Sequence, residues 1–211
     1  MTTAKICGLS TPETVAAALT GGASHVGFVF FPPSPRHLSF DQARMLAEPV
    51  PGHVGKVGVF VDPDDSLLAE AIGAGRLDVL QLHKTPPERI AAIRARHGIE
   101  IWAAIAVRTR ADLDAAARHH ELADRILYDA KTPEGATLPG GMGVRFDWTL
   151  LDGYRHPLPW ALSGGLDAGN VQDAIRQTRA PIVDVSSGVE SAPGVKDVSR
   201  IAAFLAAVAK A

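Results

Sequence analysis

The feature that most constrains the fold is an alternation of short apolar runs with helical stretches along the whole chain. Eight runs rich in Val, Ile, Leu and Phe centre on residues 6, 27–31, 56–61, 79–82, 101–107, 125–128, 160–162 and 182–185. Amphipathic or alanine-rich segments follow them at residues 12–20, 40–47, 66–74, 87–97, 111–122, 148–152, 168–178 and 198–209. The runs lack a clean apolar and polar alternation, which is typical of parallel strands covered on both faces.

This order of segments predicts an α/β fold with a parallel sheet. Eight strand-helix units in 211 residues fit a compact (β/α)8 barrel, the TIM barrel fold. A doubly wound open sheet is the alternative, because periodicity does not show whether a sheet closes. No linker or low-complexity tract interrupts the pattern, so we expect residues 1–211 to form a single barrel domain.

Composition argues against several classes of function. The formal net charge is −2, with both signs mixed along the chain, so we expect neither nucleic acid nor an anionic membrane as a partner. The longest apolar run, residues 201–209, is far shorter than the roughly 20 residues that cross a bilayer. A lone cysteine without a secretory signal segment favours a reducing, cytoplasmic location for a soluble protein.

Two ionisable residues stand at predicted strand ends, where parallel barrels carry their chemistry. Cys7 ends the first apolar run, and Asp129 follows the sixth. Together a thiol and a carboxylic acid can move two protons, provided that the thiol ionises below its usual pKa of about 8.5 and the carboxyl group keeps its proton. The alternatives are a buried cysteine that packs as a small hydrophobe and an aspartate that caps a turn.

Two sequences rich in glycine and serine follow the last two predicted strands. They are Ser163-Gly164-Gly165-Leu166 and Ser186-Ser187-Gly188-Val189. Paired glycines let backbone amides approach an anion closely, and (β/α)8 enzymes frequently bind phosphate between the loops after strands seven and eight. We therefore expect a phosphate site formed by Gly164, Gly165, Ser186, Ser187 and Gly188, with ordinary turn chemistry as the alternative.

Four further residues are candidates for contacts with a substrate. Arg36 lies in a proline-rich loop after strand two, and its planar guanidinium suits a carboxylate. Gln81 and His83 share one face of strand four, and Asp184 in strand eight could bind a sugar hydroxyl. The alternatives are a solvated arginine, a hydrogen-bonded core histidine and an aspartate that satisfies buried backbone donors. A second irregular stretch, residues 131–145, follows strand six at the same end.

The sequence contains no motif for a cofactor or a metal. Its histidines lack metal-ligand spacing, and there is neither a Gly-x-Gly-x-x-Gly sequence between a strand and a helix nor a Walker loop. We therefore expect no cofactor and no metal, with the chemistry carried by side chains.

Several motifs, in the same order and at similar spacings, resemble those of the phosphoribosylanthranilate isomerase family. They are Lys5-Ile6-Cys7-Gly8-Leu9, Gly27-Phe28-Val29-Phe30 with Ser34-Pro35-Arg36, Gln81-Leu82-His83, Gly140-Gly141 with Gly143 before Phe146-Asp147-Trp148, Leu162-Ser163-Gly164-Gly165-Leu166 and Asp184-Val185-Ser186-Ser187-Gly188-Val189-Glu190. The resemblance spans nearly the whole chain. Two positions depart from the family: Lys84-Thr85-Pro86 replaces a glycine and an acidic residue, and Met142 stands where threonine is common.

The resemblance implies a cofactor-independent Amadori rearrangement in tryptophan biosynthesis, from N-(5'-phosphoribosyl)anthranilate to 1-(2-carboxyphenylamino)-1-deoxyribulose 5-phosphate. It implies that Cys7 is the general base at ribose C2 and that Asp129 is the acid at the furanose ring oxygen. It also implies that Arg36 faces the anthranilate carboxylate while the glycine and serine loops hold the phosphate. Because the family includes monomers and dimers, we expect a monomer or a homodimer.

Two other functions remain as alternatives. Indole-glycerol phosphate synthase, another phosphate-binding barrel, would be expected to use lysine and glutamate, and no lysine with such partners stands at a predicted strand end. A non-catalytic sugar-phosphate-binding barrel would keep the anion loops, but the presence of both Cys7 and Asp129 argues against it.

Overall fold

The eight predicted strands form a closed parallel barrel in a computed structural model, which describes residues 1–131 and 143–211. The strands are β1 (Thr3–Cys7), β2 (His25–Val29), β3 (Gly55–Val61), β4 (Val79–His83), β5 (Glu100–Val107), β6 (Arg125–Ala130), β7 (Trp160–Leu162) and β8 (Ile182–Val185). They pair in sequence order, and β1 also pairs with β8, with Thr3 opposite Ile182 and Ile6 opposite Val185. The (β/α)8 barrel is therefore confirmed, and the open sheet is excluded.

Helices connect the strands on the outside of the barrel. In the described ranges these are α1 (Pro12–Thr20), α2 (Phe40–Ala47), α3 (Asp65–Gly75), α4 (Pro87–His97), α5 (Arg110–Asp114), α6 (Val171–Thr178) and α7 (Val198–Val208), with 3-10 helices at Ala115–His119, Trp148–Leu151 and Ser187–Val189. The predicted helix over residues 111–122 is wrong in extent, because the α-helix ends at Asp114. There the Tyr154 hydroxyl donates to the Leu113 carbonyl at 2.7 Å, which competes with the bond that Ala117 would make in an α-helix.

A short antiparallel hairpin between β8 and α7 lies outside the barrel. Its strands are β9 (Glu190–Ala192) and β10 (Val195–Lys196). In their register, Lys196 lies directly across from Glu190. Gly194 makes the turn with a φ of 81°, a left-handed conformation that glycine adopts at low cost. We call residues 190–196 the 190–196 hairpin; the sequence analysis did not predict it.

The barrel interior has an apolar layer near the amino ends of the strands and a polar layer above it. The apolar layer consists of Val57, Val79, Trp102, Leu127, Ala161 and Ile182, all of them buried. Side chains two residues apart on a strand face the same side, so the next interior positions are Val59, Gln81, Ala104, Asp129, Ser163 and Asp184. A packed hydrocarbon floor therefore supports polar residues at the carboxyl end of the barrel.

Helix α7 closes the outer layer by packing against α1 and β1. Its residues Ile201, Phe204, Leu205 and Val208 are buried and form the apolar face that packs on the barrel.

We expect Phe204→Ala to lower the free energy of unfolding by about 3–5 kcal/mol, because Phe204 is fully buried and alanine leaves a cavity. Met45→Ala is the control, since Met45 is 51% exposed and its truncation should change stability by about 0.5 kcal/mol or less. Equilibrium unfolding in urea, followed by circular dichroism, measures both. Equal losses in the two variants would contradict the assigned packing of α7.

Candidate active site

A cavity of about 700 Å³ opens to solvent at the carboxyl end of the barrel strands. Ten of the eleven predicted site residues line it, namely Cys7, Arg36, Gln81, His83, Asp129, Gly164, Gly165, Asp184, Ser186 and Ser187. Gly188, the eleventh, is set back from the lining. The cavity also has apolar walls, which Val29, Phe31, Val59, Val61 and Leu166 contribute. Of the predicted rim loop 131–145, residues 132–142 lie outside the described residues, and Gly140, Gly141 and Met142 are among them.

Cys7 and Asp129 enter the cavity from different sides of the barrel. Cys7 is the last residue of β1 and Asp129 lies near the end of β6, and β7 and β8 separate these two strands around the barrel. Each residue is 6% exposed, so both face the cavity from nearly dry surroundings. A reacting group between them could meet a thiol on one side and a carboxyl group on the other.

Burial and, to a smaller extent, the nearby Asp184 carboxylate raise the pKa of the Asp129 carboxyl group to about 7. The Ala130 amide donates to Asp129 Oδ1 at 2.9 Å and opposes part of this shift. Asp129 therefore exists in both protonation states near neutral pH. This matches the predicted requirement that the carboxyl group keep its proton.

Burial also raises the pKa of the Cys7 thiol, which is opposite to the shift that two-proton chemistry at this pair requires. The Lys5 ammonium lowers the pKa, Asp184 raises it, and the Lys196 ammonium lowers it again, but burial outweighs the two cations. The thiol is thus protonated in the resting protein, and any chemistry that uses the thiolate must supply further stabilisation of its charge.

A buried ion pair lies under the cavity. Lys5 Nζ and Asp184 Oδ1 are 2.7 Å apart, with side-chain exposures of 0% and 4%. The Ser163 hydroxyl donates to Asp184 Oδ2 at 3.1 Å. Burial works against the charged form of Lys5, yet the adjacent Asp184 and Cys7 raise its pKa above the usual value. If Asp184 binds a sugar hydroxyl as predicted, it does so while it also binds Lys5 and Ser163.

Gln81 and His83 are adjacent on the interior face of β4. Gln81 Nε2 and His83 Nε2 are 2.8 Å apart, and burial lowers the pKa of His83 to about 4, so the ring is neutral at pH 7. The buried Gln81 Oε1 has no hydrogen-bond partner in residues 1–131 and 143–211. An acceptor of this kind in a cavity lining suits a ligand hydroxyl.

Arg36 is held by a carboxylate of the protein itself. Its Nε donates to Glu190 Oε1 at 2.7 Å and its Nη2 donates to Glu190 Oε2 at 2.8 Å, in a buried bidentate pair. Gly8 is required beside it, because a Cβ at this position would lie 2.7 Å from Arg36 Cδ and Gly8 has a φ of 75°. The guanidinium plane is consequently fixed at the cavity wall, where two of its five donors point at Glu190.

The two glycine-containing loops pack tightly against each other. A Cβ on Gly164 would lie 2.7 Å from the Ala130 amide nitrogen, and one on Gly188 would lie 1.9 Å from the Leu166 carbonyl oxygen. Gly188 thus serves the site by allowing the loop after β8 to approach the loop after β7. The approach brings Ser186, Ser187 and Gly165 to one end of the cavity.

Three charged residues near the cavity were not among the predicted site residues: Lys5, Glu190 and Lys196. Lys5 could have been found, because it lies two residues before Cys7 and therefore faces the same interior. Lys5 lies in the middle of β1 and pairs with an aspartate, so it is not the lysine and glutamate pair at a strand end that indole-glycerol phosphate synthase would be expected to use. Glu190 and Lys196 meet only through the 190–196 hairpin, and no local pattern marks them.

Lys84, one of the two departures from the family motifs, takes a left-handed backbone conformation with a φ of 51°. This conformation favours glycine, the residue usual in the family, so lysine makes the same turn at a cost of about 1 kcal/mol.

In the described parts of the chain, no group of three or more His, Cys, Asp or Glu side chains is placed to hold a metal ion. The helices in the same parts are all too short or too polar to cross a membrane.

We expect Gly188→Ala to weaken binding of inorganic phosphate by about tenfold or more, because the new Cβ would push the two glycine-containing loops apart. Gly73→Ala in α3 is the matched control, since a Cβ there has no neighbour within 4 Å. Titration of each protein with phosphate, followed by NMR chemical shifts, gives the two dissociation constants. Unchanged affinity in Gly188→Ala would show that the loop contact does not shape the anion site.

We expect Asp129→Asn to become more stable relative to the wild type as the pH rises from about 4 to about 7. The unfolded carboxyl group loses its proton near its ordinary pKa of 3.8 and the folded one only near 7, so ionisation destabilises the wild type across this window. The difference should grow by at most about 1.4 kcal/mol per pH unit and then level off. Urea unfolding at a series of pH values measures it, and parallel stability profiles would refute the raised pKa.

The chain matches the family model described as N-(5'phosphoribosyl)anthranilate (PRA) isomerase over residues 4–207. It is 55% identical over 206 residues to the N-(5'-phosphoribosyl)anthranilate isomerase of Zymomonas mobilis subsp. pomaceae, with coverage of 97% of this chain and 96% of the relative. It is 53% identical over 207 residues to the protein of the same name from Rhodospirillum centenum, with coverage of 97% of both chains.

Solved structures give the same result. The phosphoribosyl anthranilate isomerase of Thermotoga maritima superposes with a TM-score of 0.88 at 36% identity, over 100% of both chains. A phosphoribosyl anthranilate isomerase in complex with reduced 1-(o-carboxyphenylamino)-1-deoxyribulose 5-phosphate superposes with a TM-score of 0.86 at 34% identity, again over 100% of both chains. By family model, sequence and structure, the chain belongs to the N-(5'-phosphoribosyl)anthranilate isomerase family.

Proposed function

We propose that this protein catalyses the Amadori rearrangement of N-(5'-phosphoribosyl)anthranilate to 1-(2-carboxyphenylamino)-1-deoxyribulose 5-phosphate, the isomerase step of tryptophan biosynthesis. The observation that carries the proposal is the convergence of Cys7 and Asp129 on one cavity, which also receives two glycine-containing loops. Family membership supports the same reaction. The cavity offers a thiol, a carboxyl group, an arginine and two backbone loops, which correspond to the chemical needs of this substrate.

Binding would fix the two anionic ends of the substrate. We assign the phosphate to the loops that carry Gly164, Gly165, Ser186 and Ser187, with Gly188 behind them, and the anthranilate carboxylate to Arg36. Gln81, His83 and Asp184 also line the cavity and would contact the ribose hydroxyl groups. Anchoring both ends places the ribose carbons between Cys7 and Asp129, so that proton transfer needs little further reorganisation.

Asp129 would act first, as the general acid. Its pKa of about 7 leaves a substantial protonated fraction at neutral pH, and the proton passes to the furanose ring oxygen. The C1–O bond then breaks and the anthranilate nitrogen forms a protonated Schiff base with C1. Asp129 is left as a carboxylate.

Cys7 would act second, as the general base at C2. Removal of the C2 proton sends the C–H electron pair towards the cationic Schiff base and gives an enolamine, which tautomerises to the amino ketone. Before this step the thiol must lose its own proton to solvent through the open cavity, because only the thiolate can accept the C2 proton and burial raises the thiol pKa. Lys5 and Lys196 favour the thiolate, and the positive charge of the Schiff base adds to their effect at the moment when the base is needed.

We expect Cys7→Ala and Asp129→Asn each to lower kcat by about 10²–10⁴-fold, because each removes one proton-transfer group. Binding of the reduced product analogue should change by less than about threefold, since neither substitution touches the anion anchors. Asp152→Asn, an exposed carboxyl group, is the control and should retain wild-type kcat. A fluorescence assay of substrate consumption, with calorimetry for the analogue, measures both quantities. Near-normal turnover in either variant would remove that residue from the mechanism.

We further propose that the enzyme works in the cytoplasm as a monomer or a homodimer. Its single cysteine suits a reducing compartment. A structure from Thermotoga maritima describes monomers generated from a dimeric phosphoribosylanthranilate isomerase, which supports both states for this fold.

A further inference from the structure

We propose that Lys196 is a positioning residue that holds the two anion anchors of the active site, the Arg36 guanidinium and the peptide group after Ser186, in one arrangement. The inference rests on the proposed function, because a substrate with a carboxylate at one end and a phosphate at the other requires both anchors at a fixed separation.

The first observation is that Lys196 and Arg36 share one carboxylate. Lys196 Nζ lies 2.5 Å from Glu190 Oε1, the oxygen that also accepts the Arg36 Nε–H at 2.7 Å. The Lys196 and Glu190 side chains are 0% and 4% exposed, so water does not screen the contact. Movement of Lys196 would therefore move Glu190, and with it the plane of the Arg36 guanidinium.

The second observation is that Lys196 also binds the loop after β8. Its Nζ donates to the Ser186 carbonyl oxygen at 3.0 Å and to Ser186 Oγ at 3.2 Å. In a trans peptide the carbonyl and the next amide point in opposite directions, so this bond turns the Ser187 N–H away from Lys196. Ser186 and Ser187 line the phosphate end of the cavity, and the bond to Lys196 sets the orientation of the peptide between them.

The third observation is the position of the 190–196 hairpin between the two anchor-bearing loops. Its register sets Lys196 directly opposite Glu190, and the Gly194 amide donates to Glu190 Oε2 at 3.2 Å. At its turn, a Cβ on Gly194 would lie 2.7 Å from the Pro35 carbonyl oxygen, so the hairpin packs against the residue next to Arg36. The hairpin thus spans the gap between the two anchors, and its Lys196 side chain bonds to both the Ser186 loop and Glu190.

The charge of Lys196 depends on this arrangement. Burial lowers the pKa of Lys196, and the Glu190 carboxylate opposes that shift. Burial would raise the pKa of Glu190, but hydrogen bonds from Arg36 and the charge of Lys196 lower it. Glu190 therefore stabilises both cations in their ionised forms, while the Arg36 charge lowers the pKa of Lys196 and makes Lys196 depend on contact with this carboxylate.

The test uses the two anionic ends of the substrate as separate ligands, inorganic phosphate and anthranilate, each titrated into the full-length protein and followed by NMR. We expect Lys196→Met to weaken both ligands by about tenfold or more, because it removes charge-assisted hydrogen bonds to Ser186 and to Glu190, the carboxylate that holds Arg36. Glu190→Gln should weaken anthranilate by a similar factor and phosphate by a smaller one, because Lys196 keeps its hydrogen bonds to Ser186 but loses its charged partner.

Lys56→Met is the matched control, because Lys56 is another buried lysine in an ion pair, with Asp78 at 2.6 Å, and lies at the start of β3. It should leave both affinities unchanged, even if it lowers the melting temperature as much as Lys196→Met does. Wild-type affinity of Lys196→Met for either ligand would overturn the inference. If the wild type fails to isomerise phosphoribosylanthranilate, while Lys196→Met still weakens both ligands, the proposed function is refuted and the positioning role stands.

Discussion

The buried ion pair between Lys5 and Asp184 joins the strands whose pairing closes the barrel, and the chemistry of the cavity is arranged around it. Burying two charges costs free energy, which is recovered only when the charges are paired and their other polar atoms are hydrogen-bonded. Here Lys5 pairs with Asp184 Oδ1, and the Ser163 hydroxyl donates to Asp184 Oδ2. The same pair acts on both proposed catalytic groups with opposite sign: Lys5 favours the Cys7 thiolate, and Asp184 favours the protonated form of Asp129. Loss of either partner would leave an unpaired buried charge between β1 and β8, next to Cys7 and Asp129.

Much of the fold and most of the cavity lining can be predicted from local sequence, because a barrel strand has a recognisable local pattern. A strand covered on both faces is a short apolar run, and parallel connection brings all carboxyl ends to one face of the barrel. Along each strand every second side chain points into the barrel, so the residue two positions after an apolar-layer residue lines the cavity. Gln81 follows Val79 in this way, and Asp129 follows Leu127. Polar residues that end such runs are therefore predictable as cavity residues.

What could not be predicted depends on contacts between distant segments and on burial. Arg36 and Glu190 are 154 positions apart, and only the hairpin that follows β8 brings the carboxylate to the guanidinium. The helix over residues 111–122 was predicted too long, because the Tyr154 hydroxyl that competes for the Leu113 carbonyl comes from another connection. The direction in which the Cys7 pKa shifts depends on how completely the folded chain excludes water from the thiol. A position at a strand end does not reveal this.

The raised pKa values of Cys7 and Asp129 together favour one order of proton transfers. In the resting cavity the thiol holds its proton and the carboxyl group is balanced near neutral pH, so the protein is prepared to give a proton before it takes one. In the proposed reaction, ring opening would consume the Asp129 proton and create a cation on the substrate, which would offset the burial penalty on a thiolate. If Cys7 were a thiolate from the start, its negative charge would disfavour the Asp129 carboxylate that forms when Asp129 gives up its proton. Burial of Cys7 therefore does not oppose its proposed role; it delays the thiolate until the Schiff base is present.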